Sequence, residues 1–126
     1  MRTFLKKLIC VLVFLSVCFT IKAQLFEIVG KGDSGEYQCS GYIAWYSDEI
    51  RIQLNELLFQ SYSIGRREII NESTIQYKII SIGEDIVLDK YIIIYKCPNA
   101  DNVYFFNLPD LTNTNRNVSY KTKKVK

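Results

Sequence analysis

The sequence predicts an all-β fold: a small antiparallel β-barrel or β-sandwich of about seven to eight short strands behind a cleaved N-terminal leader. Three observations lead there. Apolar runs rich in Ile, Tyr and Phe recur along the chain, and several alternate with polar residues at a period of two. Breakers separate these runs at the short spacing that an antiparallel meander needs. The first 23 residues have the make-up of an export signal rather than of a folded element.

The leader comes first. Arg2, Lys6 and Lys7 precede an uncharged apolar run, Leu8–Ile21, which closes on Lys22-Ala23-Gln24. Its 14 residues fall short of the roughly 20 that span a hydrocarbon layer about 30 Å thick. Cleavage after Ala23 leaves 103 residues, enough for one domain. A second reading anchors the chain by a lipid on Cys18, because Leu15-Ser16-Val17-Cys18 loosely resembles a lipoprotein cleavage box; branched Val17, where such boxes carry a small residue, disfavours it. The expected location is therefore the periplasm or the exterior.

Behind the leader, Leu25–Val29 reads as a short strand, closed by the flexible turn Gly30-Lys31-Gly32-Asp33-Ser34-Gly35. Tyr37–Tyr46 is aromatic and β-branched, and Ser47-Asp48 offers a reversal. Ile50, Ile52 and Leu54 alternate with Arg51 and Gln53, a strand with one wet face. The same stretch, residues 48–60, also fits a helix through Ile50, Leu54, Leu57 and Leu58; the β-branched Ile50-Arg51-Ile52 tips it toward strand. Leu57–Ile64 continues to a break at Gly65-Arg66-Arg67. Ile75, Tyr77 and Ile79 then alternate with Gln76 and Lys78, Gly83-Glu84-Asp85 turns, and Tyr91–Cys97 is almost wholly apolar. Pro98–Asn102 is a loop of hairpin length before a last strand, Val103–Leu108. These elements define a single β-domain over 24–110. Residues 111–126 form a basic polar tail, flexible or, through Val118, Tyr120 and Thr122, an edge strand.

Charge narrows the partners. The whole chain carries 16 basic and 13 acidic residues, but Arg2, Lys6, Lys7 and Lys22 leave with the leader, so 12 basic face 13 acidic in the mature domain. Arg116, Lys121, Lys123, Lys124 and Lys126 all follow the last acid, Asp110, which leaves the body acidic. A nucleic-acid binder carries its cations on a folded face, interleaved with aromatics, so nucleic acid is not the expected partner. The tail is expected to make at most a weak contact with an anionic envelope surface or with the acidic body.

Of four cysteines, Cys10 and Cys18 belong to the leader; Cys39 and Cys97 remain. In an exported chain the simplest expectation is one Cys39–Cys97 disulfide, which in the chain-entropy model would stabilise the fold by about 4 kcal/mol. The plain alternative is two unpaired buried thiols. With no histidine, a structural zinc site lacks ligands, and no metal or other cofactor is expected.

The motifs that resemble catalytic ones fail on chemistry. Gly32-Asp33-Ser34-Gly35 matches the core of a serine-protease nucleophile motif, yet no histidine is present to take the Ser34 proton. Gly30, Gly32 and Gly35 have the spacing of a dinucleotide fingerprint, but a β-favouring stretch follows where a helix must open. Asp48-Glu49 and Glu84-Asp85 with Asp89 are the only local acid groups that suit paired-carboxylate hydrolysis. Asp101, Asp110, Asn113, Asn115 and Asn117 offer oxygen ligands without the spacing of a calcium loop.

What remains is aromatic. Trp45 and Tyr46, with Tyr42, beside the Ser47-Asp48 turn, are the best candidates for a stacking surface, against the plainer reading that they pack the sheet. The sequence thus predicts a non-catalytic exported β-domain that binds a protein or surface glycan, an inhibitor-like role included. The alternative is a small carboxylate-dependent secreted hydrolase.

Overall fold

The computed structural model describes residues 23–55 and 58–125. The expected leader, Ala23 apart, lies outside them. Among the described residues there are nine strands: β1 (Gln24–Lys31), β2 (Gly41–Trp45), β3 (Glu49–Leu54), β4 (Leu58–Asn71), β5 (Thr74–Ile82), β6 (Asp85–Ile86), β7 (Tyr91–Lys96), β8 (Val103–Pro109) and β9 (Asn117–Lys124). Eight of them pair antiparallel in the order β4-β3-β2-β1-β9-β8-β7-β5, and β5 pairs back onto β4, so the sheet closes into a barrel. β6 is a two-residue stub on the end of β5. Of the two architectures the sequence allowed, the barrel is the one formed. Closure leaves no long edge in the wall. No helix occurs among the described residues, and 49–54 and 58 onward are strand.

An eight-strand barrel has a lumen just wide enough for side chains to fill it or for one small ligand to enter. Here side chains fill it. Period-two alternation turns Phe26 and Ile28, Ile43, Ile50 and Ile52, Ile79, Ile92 and Phe106 inward into one continuous core. At its centre Phe26 meets the rings of Tyr104 and Phe106 edge-on, with centroids 4.9 Å apart in each pair. Trp45 stands nearly perpendicular to Tyr77 and Phe106, at 6.0 and 6.1 Å. Such pairs add about 0.5–1.5 kcal/mol each beyond the area they bury.

One end of the lumen is polar. Tyr62 and Tyr120 are fully buried, and the Tyr62 hydroxyl donates to the Pro109 carbonyl at 2.7 Å, satisfying the end of β8. The Tyr120 hydroxyl is buried without a hydrogen-bond partner. Burial, with the neighbouring Tyr120 and Asp110, pushes the Tyr62 phenol far above its ordinary value of 10.0. Burial, with Asp110 and Cys39, does the same to Tyr120. Asp110 itself is buried at the start of the β8–β9 loop. Burial alone would raise its carboxyl; hydrogen bonds from the Thr112 amide, the Arg116 guanidinium and the Thr112 hydroxyl, with Lys31 nearby, outweigh that and hold it below the usual carboxylate value.

Three expectations change. The tail is not loose, nor an edge: β9 lies between β1 and β8 and pairs with both, and Tyr120 and Thr122 are fully buried. The alternation Val118, Tyr120, Thr122 is the inner face of a full wall strand, whose Lys121 and Lys123 point outward. The break at Gly65-Arg66-Arg67 is not a turn: β4 runs through it to Asn71, absorbing bulges between Ser63 and Ile64 and between Ile64 and Arg67. The expected disulfide is not formed. Cys39 and Cys97 are free thiols; one precedes β2 and the other follows β7, and β1, β9 and β8 stand between those strands.

Candidate functional site

The long β4–β5 ribbon shapes the outer wall. Tyr77 on β5 is buried in the core, so its neighbours Gln76 and Lys78 face outward. Glu68 pairs with Gln76 across the β4–β5 ladder, and Lys78 pairs with Tyr91 across β5–β7, which places all four on the same face. The β4 bulge sets Arg66 on that face too, two residues before Glu68. Together Arg66, Glu68, Gln76, Lys78 and Tyr91 line an open cleft of about 360 Å³. Arg66, Glu68 and Lys78 are exposed, Gln76 and Tyr91 half-buried. The ion pairs among the described residues are Arg51–Glu49 and Arg116–Asp110, so the two cations and the acid of the cleft stay unpaired there.

Beyond Tyr91 the wall continues as a polar row. Asn117 Nδ2 donates to the Tyr91 carbonyl at 3.1 Å and to Asn107 Oδ1 at 2.9 Å, and Asn107 Nδ2 donates to Ser119 Oγ at 2.9 Å. This row locks three strands side by side and gives the cleft a firm, hydrogen-bonding border.

The aromatic trio singled out in the sequence is divided. Trp45 points into the lumen and packs on Phe26, Tyr77 and Phe106. Tyr42 and Tyr46 face outward in a separate small cluster with Leu25, Ala44 and Ala23. Tyr46 is buried there, with the Arg51 guanidinium 5.1 Å above its ring. Period-two alternation along β2 separates residues 42 and 46 from 45, so the three do not form one surface.

The remaining candidates are placed as follows. Asp48, Glu84, Asp85 and Asp89 are exposed on or beside turns, whereas Glu49 is half-buried and bonded to Arg51 and the Ser61 hydroxyl. Ser34 is exposed in the glycine loop, its amide donating to Glu36 Oε2. That loop is tight for a structural reason: a Cβ on Gly30 would lie 2.4 Å from the Gly35 carbonyl oxygen, and Gly32 and Gly35 have φ of 105° and 73°. Strand, not helix, follows it at Gly41, so no dipole points at the glycines. Asp110, Asn113 and Asn115 share the β8–β9 connection and Asn117 opens β9, but Asp101 lies on the β7–β8 loop at the other end of the barrel, and Asp110 is engaged by Arg116 and Thr112. No group of three or more potential metal ligands occurs among the described residues.

Compared with known protein families, characterised proteins and solved structures, the chain matches none. No helix among the described residues is long and apolar enough to cross a membrane.

Proposed function

We propose that the protein is an exported, non-catalytic β-barrel that acts as a binding module for a protein or a surface glycan. One observation carries this reading: the lumen is packed with apolar side chains, so recognition falls to the outer wall, where unpaired charged groups gather round an open cleft. The separation of Trp45 from Tyr42 and Tyr46 favours the β4–β5–β7 wall over the β2–β3 turn as the binding surface. An inhibitor-like role belongs to the same class, since a rigid wall presents a fixed surface to a partner at little entropic cost.

Export rests on the basic residues, the short apolar run and Ala23 at the N-terminus. Supporting it, β1 begins at Gln24, so cleavage after Ala23 would leave every strand whole. Mass spectrometry of protein recovered outside the cytoplasm should find Gln24 at the mature terminus; protein confined to the cytoplasm with its leader intact refutes export. For binding, the purified protein is offered immobilised surface proteins and glycans, and each retained ligand is analysed afterwards. Saturable retention with the ligand unaltered is expected. Turnover that disappears on Glu49→Gln or Asp85→Asn would replace this reading with the hydrolase.

A further inference from the structure

Resting on the reading of the protein as a binding module, we propose that the β4–β5–β7 cleft is a site for an acidic sugar: a uronate-type residue within an oligosaccharide, its carboxylate held by Arg66 and Lys78 and its hydroxyls by Glu68 and Gln76. The chemistry of the lining selects this ligand. Two unpaired cations on neighbouring strands call for an anion, and a guanidinium binds a planar carboxylate with two parallel hydrogen bonds. Glu68 lies on the same face as both cations, and an ionised carboxylate only accepts hydrogen bonds. A ligand made of nothing but negative charge, such as a polyphosphate or a heavily sulfated chain, would be repelled by Glu68. A ligand with one carboxylate set among hydroxyl donors satisfies all three charged groups at once. Gln76, in register with Glu68, adds an amide that donates to one sugar oxygen and accepts from another hydroxyl. Tyr91, half-buried at the end of the cleft, supplies a ring edge and a hydroxyl, an amphipathic match to a sugar that has an apolar ring face and a polar rim.

Shape agrees with chemistry. The cleft is open along the wall and does not enclose a small molecule, and it runs on to the border of Asn117, Asn107 and Ser119. An extended, hydroxyl-rich chain fits such a border, whereas a lone amino acid would leave most of it unused. Arg66, Glu68 and Lys78 are all exposed, so their replacement leaves the core intact.

The test uses the full-length protein and four immobilised probes: an oligogalacturonate, the same oligosaccharide with its carboxylates reduced to alcohols, a sulfated glycan and an acidic peptide. The oligogalacturonate should bind, and weaken as salt rises. Its reduced form should bind about tenfold or more weaker, as the loss of one charge-assisted contact implies. Arg66→Ala and Lys78→Ala should each cost a similar factor, with Arg66→Lys and Lys78→Arg costing much less. Glu68→Ala should weaken the oligogalacturonate but strengthen the sulfated glycan. Equal binding of the acidic and reduced oligosaccharides, indifference to Arg66→Ala and Lys78→Ala, or a preference for the peptide overturns the assignment of an acidic sugar, yet leaves the binding-module reading in place. Shortening of the oligogalacturonate by the protein would instead overturn the binding-module reading.

Discussion

Raising the pH should unfold this barrel through two buried phenols. Tyr62 and Tyr120 are wholly enclosed, and burial lifts both far above the ordinary value of 10.0. Below pH 10 the folded and unfolded chains both keep these protons, and the two tyrosines add no pH dependence. Above it the unfolded chain releases both while the folded chain holds them, so stability falls by about 1.4 kcal/mol per tyrosine for each pH unit. Two tyrosines lose about 2.7 kcal/mol per unit, or about 5 kcal/mol between pH 10 and 12, against a total of about 5–15 kcal/mol for a domain. Urea titrations across this range, followed by the fluorescence of Trp45, the only tryptophan, supply the measurement. Tyr62→Phe should halve the slope, and the double replacement with Tyr120→Phe should nearly abolish it. A stability that stays flat from pH 10 to 12, or a double variant as steep as the parent, refutes the reasoning.

Three further outcomes follow from the same framework. At neutral pH Tyr62→Phe should cost about 1–3 kcal/mol in denaturant unfolding, because it strands the Pro109 carbonyl, while Tyr120→Phe should be neutral or slightly stabilising, because its hydroxyl has no partner to lose. Asp110→Asn should cost about 1–2 kcal/mol at pH 7, discounted for an exposed Arg116. Since the Asp110 carboxyl is held below its ordinary 3.8, its contribution is present above that value and disappears as pH falls through the folded value, so parent and variant should converge in acid unfolding curves. Deleting 117–126 should abolish the fold, seen as loss of the β dichroism signal and rapid proteolysis, since it removes a strand paired on both sides.

Most of the wall was legible because inward positions alternate with polar ones, as at Ile50-Arg51-Ile52-Gln53-Leu54 and Ile75–Ile79. The same rule separates Tyr42 and Tyr46 from Trp45; grouping them by proximity in sequence hid that. β9 was masked by composition: its three lysines and the Asn- and Thr-rich approach look like a solvated end, and only Val118, Tyr120 and Thr122 carry the core signal. The cleft was hidden by Gly65-Arg66-Arg67, whose glycine and paired charges have the composition of a turn. A bulged strand tolerates that composition, and which strand lies opposite is fixed by tertiary pairing, which spacing along the chain does not encode. The absence of a Cys39–Cys97 link has the same origin: both residues end similar tyrosine-containing triplets, but wall order, not local pattern, decides whether thiols meet.

The seam between β1 and β9 has a consequence for the timing of biogenesis. Phe26 pairs with Lys124, so β1 finds its second neighbour only once β9, far along the chain, has been made. Such long-range pairing carries the entropy of a very large loop and slows the final step of folding. A growing chain can build hairpins from its early strands, yet cannot seal the cylinder, and so stays threadable until β9 has emerged.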